Sequence, residues 1–329
     1  MKKSILAISI LFSQTTLAGV LPIWEVPNNY NEIETSNGAT LYISDNQDYH
    51  AIYVDLSKAK LKFDRITDTG NTNQWGHKLF QKYDQTDFWN MYNSNKTFGF
   101  VNGQFFDPTL WKSTSPISFP VKGNNTVFQS NNTESRSLNT ILHSGGTYAY
   151  KNGYDTSDLN NVSDAFTGWN YSVKKGNDDI NTDQYTHLGV IPNGSCNPGI
   201  QTCTLKAIVF LISENKYMST AVNELNSSWN ISNGFITRLD SGGSSQYKTR
   251  DNNYSESSNP RNMPHMIEIL DKWLSTWFDS VKILKKTREC EIFLSSNSFK
   301  YFKTWSSIYL FNRSWITNFL IFWISSIIK

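Results

Sequence analysis

Polar and apolar residues alternate with a period of two through the first part of the chain. The alternation covers residues 38–45, 49–57 and 60–68, and turn-forming residues separate the three segments. Successive side chains of a β-strand point to opposite faces, so this pattern predicts a meander of antiparallel strands. Residues 74–83 instead carry apolar side chains near one helical face, and this spacing predicts a short helix.

The second half of the chain changes its periodicity twice before a glycine-rich turn. Residues 205–212 form a continuous apolar run, which is typical of a strand buried on both faces. Residues 217–229 place apolar side chains at helical spacing, and residues 235–239 form another short strand. The order strand, helix, strand predicts a crossover unit that delivers Asp240 to one end of a sheet.

Asn, Ser, Gly and Thr predominate in residues 113–183, and long apolar runs are few. This composition predicts loops and short hairpins that form a rim around a substrate. The segments together predict an α+β fold with a mixed, mainly antiparallel sheet and a few packing helices. We expect one catalytic-type domain followed by an atypical C-terminal tail.

Three distant segments place polar and charged residues where a strand meets a loop. They are Asn102-Gly103-Gln104-Phe105-Phe106-Asp107-Pro108, then Leu239-Asp240-Ser241-Gly242-Gly243-Ser244-Ser245, and finally Arg261-Asn262-Met263-Pro264-His265. Glycine lets the backbone turn sharply, and successive N–H groups with serine hydroxyls can form a nest for an anion. The alternative is an ordinary hairpin corner in which Asp and Ser are turn residues.

Taken together, the three segments resemble the phosphodiester glycosidase family, which includes the mannose-6-phosphate uncovering enzyme and many secreted bacterial proteins. That family carries an Asn-Gly-Gly-Phe-Phe segment, a Leu-Asp-Gly-Gly-Gly-Ser-Ser segment and a closing Arg-x-x-Pro segment. The resemblance covers about residues 40–270. Gln104 and Ser241 each replace a family glycine, and Tyr185 stands where the family has a cation.

The resemblance implies a hydrolase that cleaves the glycosidic bond of a sugar-1-phosphodiester in an envelope or extracellular glycan. It implies catalytic roles for Asp240, Asn102 and Arg261. Arg261 would grip the phosphate, Asp240 would be base, nucleophile or electrostatic stabiliser, and Asn102 would bond a sugar hydroxyl or the phosphate. Substrate-binding roles are expected for Gly242, Gly243, Ser244, Ser245, Asp107, Tyr185 and His265.

Other interpretations of these residues stay open. Asp107 precedes a proline and is a common turn opener, Arg261 could pair with a surface carboxylate, and His265 or His187 could be structural. The replaced glycines and Tyr185 suggest an alternative function, a weakened or inactive glycan- or phosphosugar-binding protein. No cofactor is certain; a calcium or magnesium ion held by Asp240 or Asp107 is a further alternative.

The N-terminus has the pattern of an export signal. Lys2 and Lys3 precede an apolar stretch at residues 5–12, and small residues end at Ala18. We therefore expect a signal peptide at residues 1–18 and export to the periplasm or beyond.

The predicted export determines whether the cysteines can form a disulfide. In an oxidising compartment Cys196 and Cys203 could close a disulfide across a short loop. Two free thiols are the alternative. Cys290 would be left without a partner.

Composition limits the partners and sets the tail apart. Aromatic residues make up 14% and charged residues 18% of the chain, and the net charge of +2 gives no support for a nucleic-acid partner. Residues 271–329 contain no glycine or proline and are rich in aromatics. They could contact a membrane surface, span a membrane or be a non-native extension from a damaged gene. We expect residues 19–270 to form the phosphodiester glycosidase-like domain.

Overall fold

The computed structural model of the chain describes residues 26–106, 112–129, 137–174, 179–255, 261–272, 281–286, 289–294, 300–304 and 307–311. The predicted signal peptide and Asp107 lie outside these residues. The chain divides into two compact units, residues 1–272 and 273–329. Most described elements are antiparallel strands, so the fold is mainly antiparallel β-sheet, as predicted.

The first unit contains nineteen described strands and two described α-helices. The strands are β1 (Tyr30–Thr35), β2 (Ala39–Ser44), β3 (Tyr49–Asp55), β4 (Ala59–Ile66), β5 (Asp68–Thr72), β6 (Lys78–Gln81), β7 (Thr97–Asn102), β8 (Thr114–Ser115), β9 (Val121–Gly123), β10 (Thr126–Phe128), β11 (Leu138–Ser144), β12 (Thr147–Asn152), β13 (Asp164–Asn170), β14 (Asp183–Pro192), β15 (Cys203–Lys216), β16 (Ile236–Arg238), β17 (Tyr247–Thr249), β18 (Asn253–Tyr254) and β19 (His265–Asp271). The helices are α1 (Gln85–Tyr92) and α2 (Met218–Ser227).

The larger sheet of the first unit has eleven strands and partly closes on itself. Its order is β1-β2-β3-β15-β12-β11-β13-β16-β14, with β9 and β10 attached beside β13. Because β14 also pairs with β15, six of these strands form a closed circuit. Both β15 and β16 run antiparallel to β14, so they share one direction, as the predicted crossover through α2 requires.

A second sheet, of five strands, supplies the other half of the core. Its order is β18-β17-β7-β19-β4, and a separate small sheet contains β5, β6 and β8. Apolar side chains from the two larger sheets form one buried cluster, which includes Ile52, Phe63, Val101, Phe210 and Ile267. Burial of this apolar surface between the two sheets is the main stabilising contribution to the unit.

Strand β15 is buried on both faces because each face has a different cover. Phe210 and Ile212 belong to the cluster between the two sheets. Val209 and Leu211 point the other way and join a cluster with Leu225 of α2. The predictions of a doubly buried strand and of a helix within residues 217–229 are therefore confirmed, as are the three strands β2, β3 and β4. The predicted antiparallel meander holds only for β2 and β3, because β4 pairs with β19 in the second sheet.

The helix predicted for residues 74–83 is wrong. Gly76 has a left-handed backbone with φ of 77°, and β6 follows it at Lys78–Gln81. The helix begins later, as α1, where the side chain of Asp84 accepts a hydrogen bond from the N–H of Asp87. An aspartate N-cap of this kind satisfies a backbone donor that the first helical turn leaves free.

The prediction of loops and short hairpins for residues 113–183 is wrong in part. Strands β11, β12 and β13 in this segment are central members of the larger sheet. Their polar residues are buried and hydrogen-bonded; Asn139 Nδ2, for example, donates to the carbonyl oxygen of Ile236 at 3.0 Å. Polar composition therefore concealed interior strands.

The predicted disulfide between Cys196 and Cys203 is present, with Cα atoms 5.8 Å apart. It closes the loop between β14 and β15. Cys290 lies in the second unit, and its side chain is not described.

In the second unit the structure describes two hairpins. Strands β20 (Val281–Lys286) and β21 (Glu289–Leu294) form one antiparallel pair, and β22 (Lys300–Thr304) and β23 (Ser307–Phe311) form the other. Within the described part of the chain, no helix combines the length and the apolar character needed to cross a bilayer.

Candidate functional site

The candidate site lies at the loop that carries the chain from one sheet to the other. Strand β16 ends at Arg238 in the larger sheet, and β17 begins at Tyr247 beside β7 in the smaller one. Between them, Gly242–Ser244 form a single 3₁₀ turn. Gly242, Gly243, Ser244 and Ser245 are all buried, so the loop is fixed by its surroundings.

Asp240 is held from two sides. The hydroxyl of Ser244 lies 2.6 Å from Oδ2 of Asp240 and 2.7 Å from the carbonyl oxygen of Ser241, and it donates its one hydrogen to this pair of acceptors. Asn102, the last residue of β7, donates from Nδ2 to the carbonyl oxygen of Asp240 at 2.8 Å. The amide at the end of β7 is therefore bonded to the backbone of the loop that carries the Asp240 carboxylate.

This contact restricts what Asn102 can do. Its side-chain nitrogen holds the backbone of Asp240, while its Oδ1 atom is buried and no described residue donates to it. A buried acceptor without a partner carries a desolvation cost. Asn102 thus positions the Asp240 loop and leaves one acceptor for a ligand or water.

Arg261 lies against the same turn. Its backbone N–H donates to the carbonyl oxygen of Gly243 at 2.9 Å, and Gln246 Nε2 donates to the carbonyl oxygen of Arg261 at 2.7 Å. A Cβ atom built on Gly242 would lie 3.6 and 3.7 Å from the two terminal guanidinium nitrogens. The guanidinium therefore faces the turn, and its Nε is buried with no partner among the described residues.

Gly242 is required at this turn because its φ is 67°, a left-handed conformation that other residues rarely adopt. The absence of a side chain also keeps the guanidinium close to the backbone. Asn102, Asp240 and Arg261 are accordingly brought together at one loop, together with Gly242, Gly243, Ser244 and Ser245. No described group bonds to the buried hydroxyl of Ser245.

Two charged residues near the loop are additional to those predicted. Asp183 Oδ2 would lie 3.5 Å from a Cβ on Gly242, on the same side as Arg261. Its other oxygen accepts the N–H of Gln184 at 2.8 Å. No sequence motif marks Asp183, because it reaches the site only through the pairing of β14 with its neighbours.

Arg238 is the second additional residue. It is 1% exposed, and its guanidinium carbon lies 5.8, 5.3 and 5.5 Å from the ring centres of Phe105, Trp169 and Tyr185. Aromatic rings stabilise a cation placed over their faces. One terminal nitrogen donates to the hydroxyl of Ser241 at 3.2 Å. The sequence signal that could have identified Arg238 is a charged residue inside the apolar segment at residues 235–239.

Tyr185 is buried against this cation. It is 1% exposed and clusters with Met218 and Ala221 of α2. The placement does not support direct substrate contact by Tyr185; its ring instead contacts Arg238. Nearby His187 is fully buried, and burial, followed by the charge of Arg238, lowers the pKa of His187 to about 3.

His265 occupies a structural position. It is fully buried; Nδ1 accepts the N–H of Gln104 at 3.1 Å, and Nε2 donates to the carbonyl oxygen of Phe63 at 3.1 Å. Burial lowers the pKa of His265 to about 3, so the ring is neutral. Both nitrogens are used by the backbone, which favours the structural alternative over substrate binding.

Gln104 turns its side chain into the interior. Its Nε2 donates to the carbonyl oxygen of Thr167, and the residue is 2% exposed. Beside it, Gly103 lies so close to His265 that an added Cβ would overlap the imidazole ring. The first segment is thus fixed to β13 and to β19.

Asp107, expected to bind substrate, lies outside the described residues, so its placement is not part of the site described above. No three His, Cys, Asp or Glu side chains within the described ranges are grouped so that they could hold a metal ion. Two described carboxylates belong to this region, that of Asp240 in the loop and that of Asp183, which faces Gly242.

No model of a known protein family matches this chain, and no curated protein is significantly similar to it in sequence.

Proposed function

We propose that this protein is an exported hydrolase that cleaves the glycosidic bond of a sugar-1-phosphodiester in an envelope or extracellular glycan. The observation that carries the proposal is the meeting of Asn102, Asp240 and Arg261 at one buried loop. Asn102 lies more than a hundred residues before the other two in the sequence, and each of the three brings a group suited to this reaction.

The reaction needs a group that binds the phosphate and a group that stabilises the positive charge developing at the anomeric carbon. A guanidinium matches the oxygens of a phosphate in pairs, and the terminal nitrogens of Arg261 face the turn. In the reaction, the bond from the anomeric carbon to the phosphate oxygen breaks, and the phosphomonoester leaves with the electron pair. Water adds to the carbon and loses a proton.

Asp240 acts at the anomeric carbon, as base, nucleophile or electrostatic stabiliser. The hydroxyl of Ser244 and the amide of Asn102 fix its position. A phosphate monoester is a good leaving group, so a strong general acid is less important than in ordinary glycoside hydrolysis. A fixed carboxylate aimed at developing positive charge is the main requirement.

The test is release of free reducing sugar from a sugar-1-phosphodiester by the purified full chain. Asp240→Asn keeps the size of the side chain and removes its charge, and we expect a rate loss of about 100-fold or more. Asp87→Asn, at an exposed position of α1, removes the same charge elsewhere and is the matched control. Equal rates for wild type and Asp240→Asn would contradict the proposal.

A second candidate is a phosphosugar-binding protein without turnover. It is favoured by the use of Asn102 Nδ2 to hold the Asp240 backbone and by the burial of Gln104 and Tyr185, two of the departures from the family pattern. This candidate predicts that the wild-type chain binds a sugar phosphate while no sugar is released during long incubation. Arg261→Gln should weaken that binding by about 10-fold.

A further inference from the structure

A cavity lies on the small sheet of β5, β6 and β8 and shares no residue with the Asp240 loop. Its volume of about 300 Å³ is at the lower end of the range for small-molecule sites. One wall is the turn between β5 and β6, which carries Trp75, and the other is the segment that contains β8. Leu79 of β6 and Pro116 also line it, so the indole belongs to a continuous apolar surface.

Trp75 is placed unlike the other tryptophans. Its side chain is 69% exposed, whereas the three other tryptophans that the structure describes are buried or half-buried. Burying an indole contributes more favourable free energy than burying most other side chains, so this ring retains that contribution for a ligand. An exposed aromatic that lines a cavity is a binding-site candidate in a way that an isolated one on an open surface is not.

The turn holds Trp75 in a fixed position. Oδ1 of Asn73 accepts the backbone N–H groups of Trp75 at 3.0 Å and of His77 at 2.9 Å. The backbone N–H of Asn73 donates to the carbonyl oxygen of His77 at 2.8 Å. The backbone that carries the indole is therefore ordered before any ligand arrives, which lowers the entropic cost of binding.

Polar groups surround this apolar surface. Four side chains that line the cavity have hydrogen-bonding atoms with no partner among the described residues, namely Nδ2 of Asn73, the amide of Gln74, the ammonium of Lys112 and the hydroxyl of Thr114. They supply both donors and acceptors. A lipid chain or an apolar peptide would leave these groups unused, whereas a sugar ring has a C–H face for the indole and hydroxyls at its edge for the polar groups.

We propose that this cavity is a second carbohydrate site, which binds one pyranose ring of a neutral, gluco-configured glycan against the indole of Trp75. In that configuration the ring hydroxyls are equatorial, so axial C–H groups meet the electron-rich face of the indole while the hydroxyls reach the surrounding donors and acceptors. The inference goes beyond the proposed reaction, because neither a phosphate nor Asp240 takes part.

The test is isothermal titration calorimetry of the full chain with cellotetraose and with tetra-N-acetylchitotetraose, two neutral gluco-configured tetrasaccharides. Wild type should bind at least one of them. Trp75→Ala should weaken that binding by about 10-fold or more, because it removes the aromatic anchor, and Trp75→Phe should restore part of the loss. Lys112→Met keeps the length of the side chain and removes its donors, so we expect a loss of about 2- to 10-fold.

Two control variants locate the bound glycan. Ile200→Ala removes a side chain that is 84% exposed elsewhere on the surface and should leave the affinity unchanged. Arg261→Gln should also leave it unchanged, since a neutral glycan at Trp75 does not use the phosphate-binding group. Because Trp75 is largely exposed, Trp75→Ala should melt within about 2 °C of wild type, so lost binding is not lost folding.

Three outcomes overturn the inference: neither tetrasaccharide binds wild type, Trp75→Ala binds as tightly as wild type, or phosphatidylcholine vesicles bind through Trp75 while the tetrasaccharides do not. The last result would make the exposed indole a membrane-surface contact. Sugar release from a sugar-1-phosphodiester is measured separately. A chain that binds a tetrasaccharide through Trp75 but releases no sugar refutes only the proposed reaction, and the converse result refutes only the second site.

Discussion

Gly103 should be one of the least replaceable residues of the site, and Gly103→Ala tests this directly. The added Cβ would overlap Nδ1 of His265 and lie 2.7 Å from Cε1 and 3.0 Å from Cγ of the same ring. The imidazole cannot move aside freely, because its two nitrogens are bonded to Gln104 and Phe63. The carbonyl oxygen of Gly103 also accepts the N–H of Asp240.

The cost follows from these contacts. Overpacking a close-packed interior costs about 1–3 kcal/mol. Displacing His265 also leaves the buried N–H of Gln104 without its acceptor, which costs about 1–3 kcal/mol more. We expect a total loss of about 2–6 kcal/mol, and for a unit of this size a fall in Tm of about 4 to 24 °C.

Thermal unfolding followed by circular dichroism measures the effect. Gly234→Ala is the matched control, since the nearest atom to its added Cβ is Pro198 Cγ at 3.6 Å and its φ is not left-handed. That variant should change stability by less than about 0.5 kcal/mol. If Gly103→Ala and Gly234→Ala melt within about 2 °C of each other, the described contact between β7 and β19 is wrong.

Three further predictions concern pH and the disulfide. Burial lowers the pKa of His187 and His265 from 6.5 to about 3, so the unfolded chain binds protons in this window that the folded chain does not. The free energy of unfolding should therefore fall as the pH drops from 6.5 toward 3, and urea titrations of His187→Phe should show a shallower fall; an identical profile would contradict this. Burial acts to raise the pKa of Asp164, but hydrogen bonds lower it to about 2, and the largest of these contributions comes from the His143 side chain. Its contribution is present above about pH 4 and lost toward pH 2, so Asp164→Asn should destabilise at pH 7 and match wild type near pH 2, and a constant gap would refute the assignment. Reduction of the disulfide between Cys196 and Cys203 should lower stability by about 2.5 kcal/mol, measured as a fall in Tm with reductant; no shift would show that the bond is not formed.

The sequence allowed prediction of those elements whose signal is local. Strands β2, β3 and β4 follow a period of two, and α2 follows a helical period, so each could be recognised from its own residues. The turn at Asp240 could be located because a strand ends there before two glycines. The same local reasoning misplaced the first helix, since the N-cap at Asp84 and the left-handed Gly76 outweigh apolar spacing in residues 74–83.

What the sequence could not give is the set of neighbours across the sheets. Asn139 and Thr167 are polar residues typical of loops, yet both are buried and bonded to backbone carbonyl oxygens of other segments. Asp183 belongs to no motif and reaches Gly242, on the same side as Arg261, only because β14 lies beside β16 and the loop crosses between sheets. Such contacts depend on long-range pairing, which local patterns do not encode.

A single ligand should bind at Asp240 and Arg261, and a crystal structure of the full chain with bound glucose 1-phosphate is the most direct measurement of this. We predict that the phosphate lies over Gly242 within hydrogen-bond distance of the Arg261 guanidinium, with the sugar beside the carboxylate of Asp240. A phosphate bound elsewhere, or an Arg261 side chain directed away from the Asp240 loop, would contradict the proposal that these two residues bind one phosphorylated sugar.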